Sequence, residues 1–309
     1  MGKIVLILND RPTEPWKNHL LAADPDLQID SWPDVNDFST YDTAVVWNHQ
    51  QGLLMKFPNL RMICSLGAGV DHILSDTELP AEVAITRIVD KQLTISMSNY
   101  IISAVLNHQR HNYTYQQQQL KEVWYELDPP ELDITVGFLG LGVLGNDAAV
   151  KLASLGFEVH GFSRTRKGIE QINTHEGEVG LKNMLSQVNV LINLLPLTSD
   201  TVDILNLPLF EKCRPGTYLI NVARGQHLVE ADLITALDKG FISGAMLDVF
   251  RQEPLPKDHP FWKDERIKIT PHIASVTDPA SAASQIAENH RRLQGGQALL
   301  HTVDITKEY

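Results

Sequence analysis

ITVGFLGLGVLG, residues 134–145, is the stretch that decides the fold, because the apolar run Ile134–Leu139 leads directly into glycines spaced GxGxxG. In this spacing the first glycine permits a tight turn, the second lets a pyrophosphate approach the backbone, and the third lets a helix pack on the strand. A helical pattern at Ala148–Leu155 and an apolar run at Glu158–Phe162 follow in the required order. The stretch therefore predicts a dinucleotide site rather than a simple glycine-rich turn. The predicted cofactor contacts in the loop are Gly140, Gly142, Val143, Leu144 and Gly145.

Strand-like apolar runs alternate with helical patterns on both sides of this loop. Six of them predict one doubly wound parallel sheet, namely 134–139, 158–162, 190–194, 217–221, 244–248 and 267–270. Earlier runs predict a second parallel sheet, and these are 3–8, 43–47 and 60–66. A long helical pattern at 98–124 and the breaker Asp-Pro-Pro-Glu at 128–131 lie between the two sheets. The predicted fold class is α/β, with two doubly wound parallel-sheet domains, Rossmann-like and flavodoxin-like.

Composition narrows the function classes. The chain has 309 residues, enough for two domains, and its formal net charge of -12 disfavours nucleic-acid binding. No apolar stretch is long enough to span a membrane. The two cysteines, Cys64 and Cys213, cannot form a disulfide framework, which favours a cytoplasmic protein. His108 and His111 could touch one metal ion, but no third ligand is evident, so no metal site is predicted.

The turn after the second strand of the later sheet bears on cofactor choice. An NAD site typically has an acidic residue here, about 20 residues past the glycine loop, to bind the ribose hydroxyls. This chain instead has Ser163, then Arg164, Thr165, Arg166 and a lysine. Arginine binds a 2′-phosphate that a carboxylate would repel, so the turn predicts NADP(H) preference, with NAD(H) possible; an exposed basic turn is the alternative. Asp147, expected where the following helix opens, would compete with the pyrophosphate for the helix dipole.

Three residues with useful chemistry follow the last three strands of the predicted sheet. They are Arg224, Glu253 and His272. The carboxyl ends of parallel strands share one edge of a sheet, where ligands bind in open α/β folds. Reduction of a 2-oxo acid needs a cation for the carboxylate, a proton donor at the carbonyl oxygen, and a group that holds the donor. Arg224, His272 and Glu253 match these three needs in that order.

Six short motifs together resemble the D-isomer-specific 2-hydroxyacid dehydrogenases. They are GAGVD at 67–71, GLGVLG at 140–145, NLLPLT at 193–198, VARG at 222–225, LDVFRQEPLP at 247–256 and TPHIA at 270–274. They cover nearly the whole chain in the expected order. Within the family, the chain most resembles members that reduce glyoxylate and hydroxypyruvate, and the motifs that carry this closer match are SRTRK at 163–167, VLINLLP at 190–196 and GAMLDVF at 244–250. The resemblance thus implies reduction of these small 2-oxo acids to glycolate and D-glycerate, by a homodimer joined through the long helix.

The resemblance also implies domains and residue roles. Segments 1–97 and 275–309 would form a substrate-binding domain and 98–274 an NAD(P)-binding domain, with the active-site cleft between them. Arg224 would bind the substrate carboxylate, and His272 would donate the proton with Glu253 as its partner. Further implied contacts are Leu195, Pro196 and Asp248 with the cofactor, and the backbone amides of Ala68 and Gly69 with the carboxylate. Trp47, at a strand end, is a candidate substrate contact or else a packing residue.

Two other functions stay open at this point. A corepressor that senses dinucleotides would share this fold and similar residues, although no basic arm is evident in the chain. A dehydrogenase of another 2-hydroxy acid, such as phosphoglycerate, is the second alternative. The chain departs from the family pattern where Ser98-Asn99-Tyr100 replaces the more usual Ala-Glu, and where 91–96 lacks the expected glycines. These departures bear on substrate choice and turnover.

Overall fold

The computed structural model describes residues 2–9, 11–128, 133–165 and 167–309. Arg166 and most of the breaker at 128–131 therefore lie outside the described residues. The chain divides into two compact units, one made of Met1–Leu93 with Val276–Tyr309 and the other of Thr94–Ser275. The domain boundaries expected from the sequence, after residues 97 and 274, lie a few residues away from these divisions.

The first unit is built on a parallel five-stranded sheet with strand order β2-β1-β3-β4-β5. Its elements before the second unit are β1 (Lys3–Leu8), α1 (Glu14–Ala23), β2 (Ile29–Ser31), β3 (Tyr41–Trp47), β4 (Met62–Ser65), α2 (Asp71–Leu74) and β5 (Ala84–Thr86). The long strands β1 and β3 are almost wholly buried, because a parallel sheet is covered on both faces. The edge strands β2 and β5 have three residues each, too few for a sequence pattern to predict them.

The second unit is built on a parallel seven-stranded sheet with strand order β12-β11-β10-β9-β6-β7-β8. The elements that follow β5 are α3 (Lys91–Gln109), α4 (Asn112–Leu120), β6 (Thr135–Leu139), α5 (Val143–Ser154), β7 (Glu158–Phe162), β8 (Ile172–His175), α6 (Gly177–Leu185), β9 (Val190–Asn193), α7 (Leu207–Phe210), β10 (Thr217–Asn221), α8 (Glu230–Asp238), β11 (Ile242–Leu247) and β12 (Ile267–Ile269). The predicted α/β class with two doubly wound parallel sheets is confirmed.

Two expectations for this unit were wrong. The single helix expected at 98–124 is two helices, α3 and α4, because His111 takes a left-handed backbone with a φ of 55° that interrupts the helical hydrogen bonds. A seventh strand, β8, pairs in parallel with β7 beyond the six that were expected. Its sequence, INTH, has too little apolar patterning to predict a strand.

The last long helix, α9 (Pro279–Gln294), belongs to the core of the first unit. Ala282, Ala283 and Ile286 pack in one cluster with apolar side chains of α1, β1, β3 and β4. A second cluster covers the opposite face of that sheet, and two further clusters cover the faces of the seven-stranded sheet. With both faces of each sheet covered, the strand ends are the places where a site can form. Within the described ranges, no helix is long and apolar enough to cross a membrane.

Candidate active site

The glycine loop has the geometry that its spacing predicts. Gly140, directly after β6, takes a φ of +99°, and an added Cβ there would lie 2.7 Å from the carbonyl oxygen of Leu194. An added Cβ at Gly145 would overlap the carbonyl oxygen of Gly140, whereas at Gly142 it would meet nothing within 4 Å. The loop is therefore closed on its protein side and open at Gly142, where the N-terminus of α5 can receive a pyrophosphate.

The first turn of α5 carries no acidic residue. Val143 and Leu144 form this turn, and Val143 is exposed. The expectation that Asp147 opens the helix was wrong, because α5 already begins at Val143. The carboxylate of Asp147 accepts a hydrogen bond from the Ser98 hydroxyl and pairs with Lys151 at 2.5 Å. Its charge is thus balanced by Lys151 one turn further along the helix.

The turn after β7 lies beside the glycine loop, since the backbone N–H of Gly140 donates to the carbonyl oxygen of Phe162 at 3.0 Å. Ser163, which stands where an NAD site typically has an acid, is buried and donates its hydroxyl to the carbonyl oxygen of Thr165 at 2.8 Å. Arg164 and Thr165 are exposed. These two side chains are therefore accessible to a phosphate next to the loop.

Lys167 links the same turn to the glycine loop. Its ammonium group donates to the carbonyl oxygen of Leu141. Its own carbonyl oxygen accepts from the hydroxyl of Thr174 on β8 at 2.7 Å. Lys167 is thus a cation at the cofactor loop that the sequence did not single out as a contact, and Arg166 lies outside the described residues.

A buried polar network joins the ends of β9 and β10. Asn193 donates from Nδ2 to Oδ1 of Asn221 and to Nδ1 of His227, each at 3.0 Å, and all three side chains are fully buried. Nε2 of His227 lies 3.2 Å from the carbonyl oxygen of Pro196, and the N–H of Leu195 donates to Oδ1 of Asn193 at 3.3 Å. The network therefore fixes the loop that carries both of these expected cofactor contacts.

The same network also binds the backbone of Arg224. Nδ2 of Asn221 donates to the carbonyl oxygen of Arg224 at 3.0 Å, and Nη1 of Arg224 donates to the carbonyl oxygen of Ala223 at 2.7 Å. A guanidinium carries five N–H donors, enough to bind a carboxylate in a bidentate manner while it keeps such a contact. The sequence reasoning missed the network, although an asparagine ending each of two buried strands signals a buried hydrogen bond.

His272 and Glu253 form a hydrogen-bonded pair. Nδ1 of His272 lies 2.7 Å from Oε2 of Glu253, with side-chain exposures of 37% and 36%, and Oε1 accepts from the N–H of Phe250 at 2.9 Å. Burial alone would raise the pKa of Glu253, but these hydrogen bonds, with the charges of His272 and Arg224, outweigh it and lower the pKa. Glu253 is therefore ionised and fixes the ring through Nδ1, which leaves Nε2 to exchange a proton with a substrate.

The structure brings Arg224, Glu253 and His272 together within the second unit. They follow β10, β11 and β12, which are neighbours in the sheet, and the charge of Arg224 acts on Glu253. Because the sheet is parallel, this edge is also the edge of the glycine loop after β6. A cation, a histidine–carboxylate pair and the glycine loop thus share one sheet edge.

Asp248 ends β11 and is 1% exposed. Its Oδ1 accepts from Oγ1 of Thr270 at 2.6 Å and from the N–H of Ile273 at 2.9 Å, and its Oδ2 accepts from the N–H of Ala274 at 2.8 Å. Burial raises the pKa of Asp248, and these hydrogen bonds with the charge of His272 only partly offset it. Contact between Asp248 and the cofactor stays a prediction, whereas its contacts with the His272 loop are direct.

Trp47, at the end of β3 in the first unit, lies between two basic side chains. Its ring packs on Gly67, where an added Cβ would lie 3.0 Å from Cζ3. The guanidinium carbon of Arg11 is 4.3 Å from the ring centroid, and the imidazole centroid of His72 is 4.8 Å away. The environment of the half-buried indole is therefore aromatic and basic.

Ala68 and Gly69 form the turn after β4. The Ser65 hydroxyl accepts from the N–H of Gly67 at 3.1 Å and donates to the carbonyl oxygen of Gly69 at 2.8 Å. Nη1 of Arg87 reaches the carbonyl oxygen of Ala68 at 3.4 Å. Among the described residues the N–H groups of Ala68 and Gly69 donate to no acceptor, which suits them to bind an anion.

His108, one of the two histidines of the helical region, has a packing role. His108 stacks on Tyr218 with ring centroids 4.0 Å apart, and burial together with the charge of His111 lowers the pKa of His108 to about 4. In the part of the chain that the structure describes, no group of three His, Cys, Asp or Glu side chains is placed to hold a metal ion.

Comparison with known proteins gives one family match and several whole-length relatives. Residues 102–274 match the family model for the NAD-binding domain of D-isomer specific 2-hydroxyacid dehydrogenases. The glyoxylate/hydroxypyruvate reductase A of Photorhabdus laumondii is 43% identical over 300 residues, which is 95% of this chain and 96% of the relative.

Two solved structures are similar over the whole chain. A D-isomer specific 2-hydroxyacid dehydrogenase from Xanthobacter autotrophicus Py2, in complex with NADPH and MES, has a TM-score of 0.95 and 37% identity, covering 100% of this chain and 99% of that one. The NADPH-dependent glyoxylate/hydroxypyruvate reductase from Sinorhizobium meliloti, in complex with NADP and sulfate, has a TM-score of 0.94 and 37% identity, covering 100% of both chains.

Proposed function

The chain belongs to the D-isomer specific 2-hydroxyacid dehydrogenase family, and on that premise we propose that it reduces small 2-oxo acids with NADPH. Glyoxylate and hydroxypyruvate are the proposed substrates, with glycolate and D-glycerate as products, because whole-length relatives are named as reductases of these acids. The observation that carries the proposal is the His272–Glu253 pair beside Arg224, at the sheet edge that also bears the glycine loop.

The residues of the second unit fit NADPH. Gly142 is open to a pyrophosphate, and the buried Ser163 replaces the acid that would repel a 2′-phosphate. Arg164, Thr165 and Arg166 are the proposed phosphate contacts, and Leu195, Pro196 and Asp248 are proposed to line the nicotinamide side. When bound, the nicotinamide supplies a hydride to the carbonyl carbon of the substrate. NADH is the weaker alternative donor.

Three side chains would perform the remaining chemistry. Arg224 binds the substrate carboxylate and polarises the neighbouring carbonyl group. His272 donates the proton on Nε2 to the carbonyl oxygen as the carbon accepts the hydride, which completes the hydroxyl group of the product. Glu253 holds the imidazole by Nδ1 and stabilises its positive charge until the proton leaves.

The first unit would supply the rest of the substrate contacts. Segments 1–97 and 275–309 are proposed as the substrate-binding domain and 98–274 as the NAD(P)-binding domain. The N–H groups of Ala68 and Gly69 would hold the carboxylate, a role supported by their lack of an acceptor in the described chain. Trp47, flanked by two basic groups, would border the substrate and favour a small anion.

Turnover with a substrate panel tests the proposed function. NADPH oxidation, followed by absorbance, should be fastest with glyoxylate and hydroxypyruvate, slower with pyruvate and slowest with 3-phosphohydroxypyruvate. The same panel with NADH should give lower kcat/KM values. Tight NADPH binding without turnover of any acid would instead support a dinucleotide sensor, and preference for the phosphorylated acid would support the other dehydrogenase.

We also propose that the protein is a homodimer. Large apolar side chains are exposed on α3, on α4 and just after α4, and they are Leu106, Tyr115, Leu120, Val123, Trp124 and Tyr125. Leu120 is 78% exposed, and such a concentration of apolar surface is typical of an interface between copies. Light scattering should give a dimer that becomes monomeric in the double variant Leu120→Asp with Trp124→Asp. A monomeric parent protein would contradict this proposal.

A cytoplasmic location is proposed from the cysteines. Cys64 and Cys213 are both buried free thiols. Burial raises the pKa of Cys64 to about 11 and that of Cys213 to about 12, so both are unreactive. Unpaired thiols support a reducing compartment.

A further inference from the structure

The loop that carries His272 is anchored on Asp248. The carbonyl oxygen of Asp248 accepts from the N–H of His272 at 2.8 Å. Its carboxylate accepts from the N–H of Ile273 at 2.9 Å and from that of Ala274 at 2.8 Å. Three consecutive backbone N–H groups of the loop therefore point at a single residue, and that residue is buried.

Tyr100 on α3 extends this anchor through Thr270. Oγ1 of Thr270 lies 2.6 Å from Oδ1 of Asp248 and 2.5 Å from the hydroxyl oxygen of Tyr100. A threonine hydroxyl has one proton, and an ionised carboxylate can only accept it, so Tyr100 must donate to Thr270. Burial raises the pKa of Tyr100, so the phenol keeps this proton. The hydrogen bonds thus run in one direction, from Tyr100 through Thr270 to Asp248.

The loop needs this support because His272 has a left-handed backbone. Its φ is 54°, a conformation that a residue with a Cβ keeps only where the surroundings hold it. Glu253 contacts only Nδ1 of the ring, so it sets the rotation of the imidazole but not the position of the backbone. Asp248 is the residue that fixes the backbone.

We propose that Tyr100, acting through Thr270 and Asp248, is a positioning residue that keeps His272 aimed at the substrate oxygen. The inference rests on the proposed function, in which His272 is the proton donor. It gives a role to Tyr100, which lies in the stretch 98–100 where the sequence departs from the pattern of its family. It also gives Asp248 a task beyond the expected contact with the cofactor.

The variant Tyr100→Phe tests the positioning role, because it removes the hydroxyl and keeps the ring that packs on the core. We expect kcat with glyoxylate to fall about three- to tenfold, the change that corresponds to one lost buried hydrogen bond. The NADPH dissociation constant, measured by fluorescence titration, should change by less than about twofold. The solvent deuterium isotope effect on kcat should rise, because a displaced His272 slows proton transfer relative to the other steps.

Tyr113→Phe is the matched control. Burial also raises the pKa of Tyr113, but its hydroxyl donates to Sδ of Met246 at 3.7 Å and not to the His272 loop. Its kcat and isotope effect should equal those of the parent protein.

At Thr270, the variant Thr270→Val removes both hydrogen bonds and should lower kcat further than Tyr100→Phe. Thr270→Ser keeps the hydroxyl and should restore most of the activity.

His272→Gln, measured in the same series, separates the two proposals. If it abolishes turnover while Tyr100→Phe and Thr270→Val keep the parent kcat, the positioning role is overturned and the proton donor stands. If His272→Gln keeps the parent kcat, the proposed mechanism itself is overturned. A Tyr100→Phe protein that only weakens NADPH binding, with the parent kcat at saturating NADPH, also overturns the positioning role.

Discussion

Two neighbouring strand ends hold their functional side chains by different chemistry. The backbone of Arg224 is held by hydrogen bonds from a neutral polar network, whereas the backbone of the loop that carries His272 is held by the carboxylate of Asp248. Both supports are buried, and both act mainly on the backbone of the residue they hold. The neutral network consists of Asn193, Asn221 and His227.

The difference follows from the charge that each functional side chain must offer. Neutral groups hold the backbone of Arg224, and unlike a carboxylate they bring no negative charge that would compete with a substrate carboxylate for the guanidinium. In the proposed mechanism His272 instead carries a positive charge before it donates its proton, so an anionic support does not oppose the charge that this side chain has to offer. The charge of His272 in turn lowers the pKa of Asp248 against the larger effect of burial.

Removal of the charge of Asp248 should have the largest effect on kcat. In Asp248→Asn the side chain keeps its shape, but its NH₂ group must face a donor, either Ala274 N–H or the donors from Thr270 and Ile273. We expect kcat at saturating NADPH to fall on the order of a hundredfold, at the lower end of what a positioned general acid contributes.

Steady-state kinetics and a fluorescence titration of NADPH check this prediction together. The NADPH dissociation constant should change by less than about threefold if Asp248 acts mainly on the loop. The parent kcat combined with much weaker NADPH binding would show that the main contact of Asp248 is with the cofactor. In that case the comparison between the two strand ends would fail.

Loss of the hydrogen bond that supports Arg224 should have a smaller effect on the kinetic constants. Asn221→Ala removes the hydrogen bond to the carbonyl oxygen of Arg224, so the guanidinium is less well placed for the carboxylate. We expect KM for glyoxylate to rise about tenfold, with a smaller change in kcat. Asn189→Ala is the control, because Asn189 accepts from the N–H of Thr135 at the opposite edge of the same sheet. An equal rise in KM in both variants would indicate a general loss of stability and contradict the assignment.

Loss of an exposed charged contact should change the kinetic constants less than loss of either buried support. Arg164 lies on the exposed side of the turn after β7, where solvent screens its interaction with a phosphate. Arg164→Ala should raise KM for NADPH about fivefold and leave KM for NADH unchanged. Parallel assays with the two cofactors measure this difference, and an equal rise with both would remove Arg164 from the 2′-phosphate site.

The sequence predicts the parts of this site that depend on strand ends. Arg224, Glu253 and His272 follow apolar runs, and parallel strands bring their carboxyl ends to one edge, so their juxtaposition can be inferred without coordinates. The glycine loop is predictable for the same reason, since turn, helix and strand each leave a local pattern. Most strand bounds were correct or differed by one or two residues.

The supports behind these residues were not predictable, because they depend on register and on distant contacts. Tyr100 and Thr270 are 170 residues apart in the sequence, and no local pattern joins them. The network of Asn193 requires knowing which strands are neighbours and which residues pair. The left-handed backbone of His272 leaves no signal either, because the position is not a glycine.

The two carboxylates beside His272 should also respond oppositely to pH. Burial raises the pKa of Asp248, so this carboxylate takes up a proton more readily in the folded chain than in the unfolded chain, and the stability that this gives at low pH is lost as the pH rises through the folded value. The pKa of Glu253 is lowered, despite burial, by its hydrogen bonds and by nearby positive charges. Glu253 therefore stabilises the fold above its unfolded pKa of about 4.3, and this contribution is lost as the pH falls through the folded value.

The smallest effect in this series is expected from Glu253→Gln, which should lower the free energy of unfolding slightly and by an amount that depends on pH. Urea unfolding at about pH 7 should find the variant slightly less stable than the parent, because the parent carboxylate is ionised and held by His272 and Phe250. The difference should shrink as the pH falls below about 4, where the parent carboxylate takes up a proton and loses its advantage. A difference that grows on acidification would mean that Glu253 is held in its neutral form. Glu253 would then resemble Asp248 in having a raised pKa, and the opposite pH responses of the two carboxylates would disappear.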